Sequence, residues 1–153
     1  MSFDWESYLL LAEHLNDAAQ ELEGDANQED LREAYLRSAL SRFYYGVFCI
    51  AKNVLDDYVP VPKKNIHKFV ICEYTTSPDS QVSKVGENLK RLMHKRGQAD
   101  YENEIDIRER DTYQSDFDAI NATNKKARKL VQQIKMLKSD GSMSSLTFSE
   151  GRC

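Results

Sequence analysis

The chain has 153 residues, enough for one domain with a proper core. A hydrophobic content of 41% and a charged content of 30% describe an ordinary soluble protein, and a formal net charge of −4 gives no global attraction for nucleic acid. Any contact with RNA or DNA therefore needs a local basic patch, and no apolar run approaches the length that crosses a bilayer.

The acidic start, Met-Ser-Phe-Asp-Trp-Glu, lacks the basic-then-apolar order of a signal peptide. From there, Trp5, Tyr8, Leu9, Ala12, Leu15, Ala19 and Leu22 recur at three- and four-residue spacing and predict an amphipathic helix. Gly24-Asp25-Ala26-Asn27 ends it. Gln28 to about Tyr58 is expected to form one long helix, stopped by Pro60 and Pro62, because proline lacks an N–H and disfavours helix in the residue before it. Its apolar residues run almost unbroken from Phe43 to Ala51, so it needs cover on several sides.

Ile66 to Tyr74 carries a β-branched cluster that suits a strand. A lone strand has nothing to pair with in a helical chain, so a short helix is expected. Thr75 to Ser80 reads as a turn, with Asp79 or Ser80 capping the next helix. That helix runs from Gln81 to about Tyr101 on the spacing of Val82, Val85, Leu89, Leu92 and Met93, with Gly97 either inside it or at its end. The charge run Glu102 to Asp111 reads as a solvated connection. A last helix is expected from about Thr112 to Lys138, and residues 139–153 as a flexible Ser-rich tail on a single domain, 1–138. The expected fold is all-α: an up-down bundle of four long helices with a short fifth one crossing between the second and third.

The cysteines are Cys49, Cys72 and Cys153. Their odd count argues against a disulfide framework and points to a reducing cytoplasm. With no Cys-x-x-Cys or His-x-x-x-His pair, neither a metal nor a cofactor is expected.

Two constellations can carry chemistry. Arg37, Ser41, Tyr44 and Phe48 fall on one helix face. Further on, Lys90, Arg91, Lys95 and Arg96 form a basic stretch in which Arg91, His94 and Lys95 share a face and Arg96 can reach Asp100. Basic residues beside tyrosines are the one patch that suits phosphate. His67 and His94 have basic neighbours, which hold an imidazole neutral near pH 7 as a base requires. Against this stands the plainer reading: tyrosines packed in a core, and an intrahelical Arg96–Asp100 pair contributing about 0.3–0.5 kcal/mol.

Arg37-Ser-Ala-Leu-Ser-Arg-Phe-Tyr-Tyr-Gly-Val-Phe-Cys-Ile-Ala-Lys resembles the long second helix of HEPN domains (higher eukaryote and prokaryote nucleotide-binding). His67 follows after a loop, and Leu89-Lys-Arg-Leu-Met-His-Lys-Arg-Gly-Gln-Ala-Asp-Tyr101 resembles that family's Leu-x-x-Leu-x-x-x-Arg-x-x-Ala-Asp-Tyr segment. The resemblance covers most of residues 5–138. It implies a helical bundle that dimerises and takes part in a toxin–antitoxin or antiviral defence pair, often beside a small nucleotidyltransferase. In catalytic members an Arg followed by a His cleaves RNA without metal. Here Arg96 matches the Arg, but Tyr101, Glu102 and Asn103 stand where the His falls, and no His follows.

The resemblance thus implies an RNA-targeting protein with Arg96, Tyr101 and His94 at the reacting phosphate. Arg37, Ser41, Tyr45, His67 and Asp100 would complete the cleft. The alternative it leaves open is a non-catalytic module that binds a nucleotide or a partner nucleotidyltransferase.

Overall fold

Three- and four-residue apolar spacing does produce helices here. The computed structural model describes residues 2–146 and Cys153 (at Ser145 the backbone alone), and every regular element among them is helical. The five α-helices are α1 Ser7–Glu21, α2 Glu29–Asp56, α3 Ile66–Thr75, α4 Ser80–Tyr101 and α5 Asp116–Ser139. None is long and apolar enough to cross a membrane.

Helix α2 is entered through a 3-10 turn, Ala26–Gln28, in which the Asp25 carboxylate accepts from Asn27 N at 3.0 Å. It then packs against α1, α4 and α5. Three neighbours explain why it is apolar most of the way round: Leu36, Phe43, Tyr44, Val47 and Leu55 are all enclosed. Polar ties hold α5 in place. Arg32 Nη2 donates to Asp116 Oδ2 at 2.7 Å, Arg128 Nη2 donates to Glu13 Oε1 at 2.7 Å, and buried Asn16 Nδ2 donates to Phe117 O at 3.2 Å.

Residues 66–75 form a helix despite their β-branched content, because Phe69, Val70 and Ile71 bury themselves against neighbouring helices rather than in a sheet. Asn65 opens α3 at φ 53°, a left-handed conformation that asparagine tolerates. Asp79 caps α4, its Oδ1 accepting from Gln81 N at 2.8 Å and Val82 N at 3.2 Å.

Helix α4 runs through Gly97, where a Cβ would meet no heavy atom within 4 Å. Gly97→Ala should therefore raise stability by about 0.5–1 kcal/mol, the usual helical gain, as read from urea unfolding.

Four expectations are corrected. The run 102–111 is anchored rather than merely solvated: Ile105 and Ile107 pack on the core, and Glu109 pairs with Lys95. Glu109, Arg110 and Asp111 all have positive φ (53°, 56° and 61°), so no right-handed helix passes through them. The last helix accordingly starts at Asp116 rather than Thr112, capped by Ser115 Oγ accepting from Asp118 N at 3.1 Å.

The stretch 139–153, read as a flexible tail, contains a 3-10 turn, Ser142–Ser145, which carries Met143 and Leu146 into the core. Residues 147–152 of that tail lie outside the described residues. Finally, Cys72 on α3 is disulfide-bonded to Cys153, with Cα atoms 5.6 Å apart, and Cys49 is free. The odd count spoke against such a bond, but the fold brings together two thiols 81 residues apart.

Candidate functional site

The face Arg37, Ser41, Tyr44, Phe48 of α2 meets α4, and the first turn of α3 closes over it. Tyr44 is fully buried. Its Oη lies 2.6 Å from His67 Nδ1, and the His67 ring stacks on Phe48 with centroids 4.1 Å apart and planes 18° from parallel. Burial raises the Tyr44 phenol well above its usual range, and Arg96 offsets this in part. The phenol stays protonated. Burial also lowers the pKa of His67, helped by the Arg96 charge, so the imidazole is neutral near pH 7.

This shift has a sign for stability. The unfolded chain takes up the His67 proton more readily than the folded one. The associated stability is complete above the ordinary pKa of 6.5 and is lost as pH falls from there through the lower folded value. Melting temperature between pH 7 and pH 5 should thus fall more steeply for the natural chain than for His67→Asn, which keeps a polar atom near the Nδ1 position.

Arg96 is the centre of the site. Its side chain is only 14% exposed. The guanidinium carbon lies 5.3 Å from the Tyr44 ring centroid, 5.5 Å from Tyr45 and 5.9 Å from Tyr101. Three π faces within cation–π range hold the charge by their quadrupoles. Asp100 Oδ2 lies 3.6 Å from Nη1, close enough for ion pairing but too far for a hydrogen bond, and it accepts from Ser41 Oγ at 3.3 Å. Arg96 donates no hydrogen bond among the described residues, and its Nε is buried without a partner. Tyr45 lies beneath a second guanidinium, Arg42, whose carbon is 5.3 Å from the ring. Tyr101 is 78% exposed and forms the outer edge.

Arg37 presents the opposite case. Its Nη1 donates to Ala99 O at 3.0 Å and Glu102 O at 2.6 Å, and Nη2 donates to Asn103 O at 3.0 Å. Nε and Nη2 also donate to Glu33 Oε1, at 3.3 and 3.1 Å. All five guanidinium N–H groups are thereby engaged. Arg37 ties off the C-terminus of α4 and has no donor left for a ligand, unlike the binding residue that the sequence suggests.

His94 is also displaced from its expected place. Two residues from Arg96, it turns about 200° away around the helix and lines a groove between α4 and α5. The structure thus brings together Arg96, Asp100, Tyr101, Ser41, Tyr45 and His67, and adds Tyr44 and Phe48 as the surface on which His67 rests. The clamp role of Arg37 left no trace in the sequence, because its distant partners are main-chain carbonyls. Among the described residues, no group of three or more His, Cys, Asp or Glu could hold a metal ion.

No family model matches the chain. No curated protein and no solved structure matches it significantly.

Proposed function

We propose that this chain is a HEPN-like protein that acts on RNA as one member of a toxin–antitoxin or antiviral defence pair. In this reading the helices form an up-down bundle of four long members with α3 crossing between two of them, and the working form is a cytoplasmic homodimer. One observation carries the proposal: a mostly buried guanidinium that donates no hydrogen bond among the described residues. Such a group favours an oxyanion, because phosphate oxygens supply the acceptors that the protein withholds.

The chemistry is a metal-independent transesterification. Arg96 binds the scissile phosphate and stabilises the charge that builds on it. In the tautomer whose Nδ1–H donates to Tyr44, His67 Nε2 keeps its lone pair and takes the proton of the ribose 2′-hydroxyl. The 2′-oxygen bonds to phosphorus as the bond from phosphorus to the 5′-oxygen breaks. Tyr101 gives that oxygen a proton, and solvent then carries the proton held by His67 back to Tyr101, which resets both groups. The products are a 2′,3′-cyclic phosphate and a 5′-hydroxyl. His67 thereby takes the role of the histidine missing after Arg96.

A second reading rests on Asp100. Its carboxylate faces both Ser41 and Arg96 and already offsets the cation, which suits a non-catalytic site for a nucleotide or a partner nucleotidyltransferase. The test is to incubate the full chain, free of any partner protein, with total RNA in chelator, beside Arg96→Ala. Cleavage that leaves cyclic phosphate ends and vanishes in the variant supports the first reading. Intact RNA with Arg96-dependent nucleotide binding supports the second. Cleavage that survives in Arg96→Ala removes the site from the reaction.

A further inference from the structure

A second cavity lies apart from the Arg96 site. It is an open groove of about 850 Å³ between α4 and α5, on the side of α4 to which His94 points. The two helices touch only sparingly there. Leu92, Met93 and Leu130 provide an aliphatic floor. Six cationic side chains and two carboxylates, Glu87 and Glu109, line the walls. Lys84, Lys126 and Lys129 have no carboxylate partner among the described residues, and Arg91 donates only to the Asn88 side chain, at 3.0 Å. A protein of net charge −4 thus concentrates positive charge along one groove.

We infer that this groove docks an acidic amphipathic helix of a partner protein. Nucleic acid is the other anionic occupant to weigh. Single strands are held by bases stacked on aromatic rings, and among the described residues His94 is the one ring in the lining, with no Phe, Tyr or Trp beside it. The floor is aliphatic and includes a methionine, whose flexible side chain adapts to apolar knobs. On α4 the lining runs from Lys84 to Gln98, about 21 Å at the helical rise, which accommodates roughly four turns of a partner helix. Apolar anchors would sit on half-buried Met93 and the aliphatic stems of the flanking lysines, above the enclosed Leu92 and Leu130. Carboxylates on both flanks would meet Lys84 and Arg91 on one side and Lys126 and Lys129 on the other. The inference does not depend on the reading of Arg96.

The test presents the full chain to displayed helices of about 18 residues with a fixed leucine stripe and flanks randomised among Glu, Gln and Lys. The double variant Lys126→Glu, Lys129→Glu is run in parallel. Both lysines are exposed, so the fold should persist, as circular dichroism would verify. Glutamate should be enriched on the flanks, and the selected helices should bind the double variant at least about tenfold more weakly. Absence of enrichment, enrichment of Gln or Lys, or indifference to the double variant would each overturn the inference. So would an oligouridine single strand that loses binding in the double variant while no helix binds, since the groove would then belong to nucleic acid.

Discussion

Arg96→Lys is expected to lose RNA cleavage nearly as completely as Arg96→Ala, by about two to three orders of magnitude. Charge alone does not distinguish the two natural cations. Three tyrosine rings surround the guanidinium at 5.3, 5.5 and 5.9 Å, a setting shaped for a flat, delocalised cation that offers several donors at once. An ammonium is compact and strongly hydrated, and it cannot grip two phosphate oxygens side by side. The measurement is the initial rate of cleavage in chelator for the natural chain and both variants. Folding should survive in the lysine variant, which keeps a cation beside Asp100 and the three rings, and circular dichroism checks it. A lysine variant that cleaved at the natural rate would mean that only the charge matters and that the tyrosine surround is incidental.

Gly86→Ala is expected to destabilise the fold by about 2–3 kcal/mol, at the upper end for overpacking. A Cβ at residue 86 would lie 2.6 Å from the Thr75 nitrogen and 2.8 Å from the Tyr74 carbonyl carbon. Both are backbone atoms at the end of α3, and backbone cannot rotate aside as a side chain can. The added methyl must push α3 off α4, and α3 is the helix that carries His67 over the Arg96 site. Gly46→Ala provides the contrast. Its nearest neighbour would be the tip of the Leu9 side chain at 2.5 Å, with the Trp5 oxygen at 3.1 Å. A leucine can change rotamer, so the cost there should be smaller, about 1 kcal/mol. Urea unfolding of the two variants ranks them, and the reverse order would mean that α3 does not lie that close to α4.

The sequence by itself determined the helices, because periodicity is a local property. Apolar residues at three- and four-residue spacing placed α1 and α4, the prolines after Val59 closed α2, and Asp79 was recognisable as a cap. It also determined that α2 lies at the centre, since a helix apolar on nearly every side has no other stable position. Half of the candidate site was legible for the same reason: Ser41 and Tyr44 share a face, and Arg96 and Asp100 lie one turn apart. What remained was decided by contacts between distant segments. Arg37 and Arg96 look alike as cations, yet Arg37 spends three donors on carbonyls 62 to 66 residues away and two on Glu33, while Arg96 donates no hydrogen bond among the described residues. The pairing of Tyr44 with His67, the burial of Met143 and the Cys72–Cys153 bond depend on which surfaces meet, and a spacing rule carries no information about partners so far along the chain. Even the charge run 102–111 read as solvated only because its anchors, Lys95 and the core beneath Ile105 and Ile107, belong to other segments.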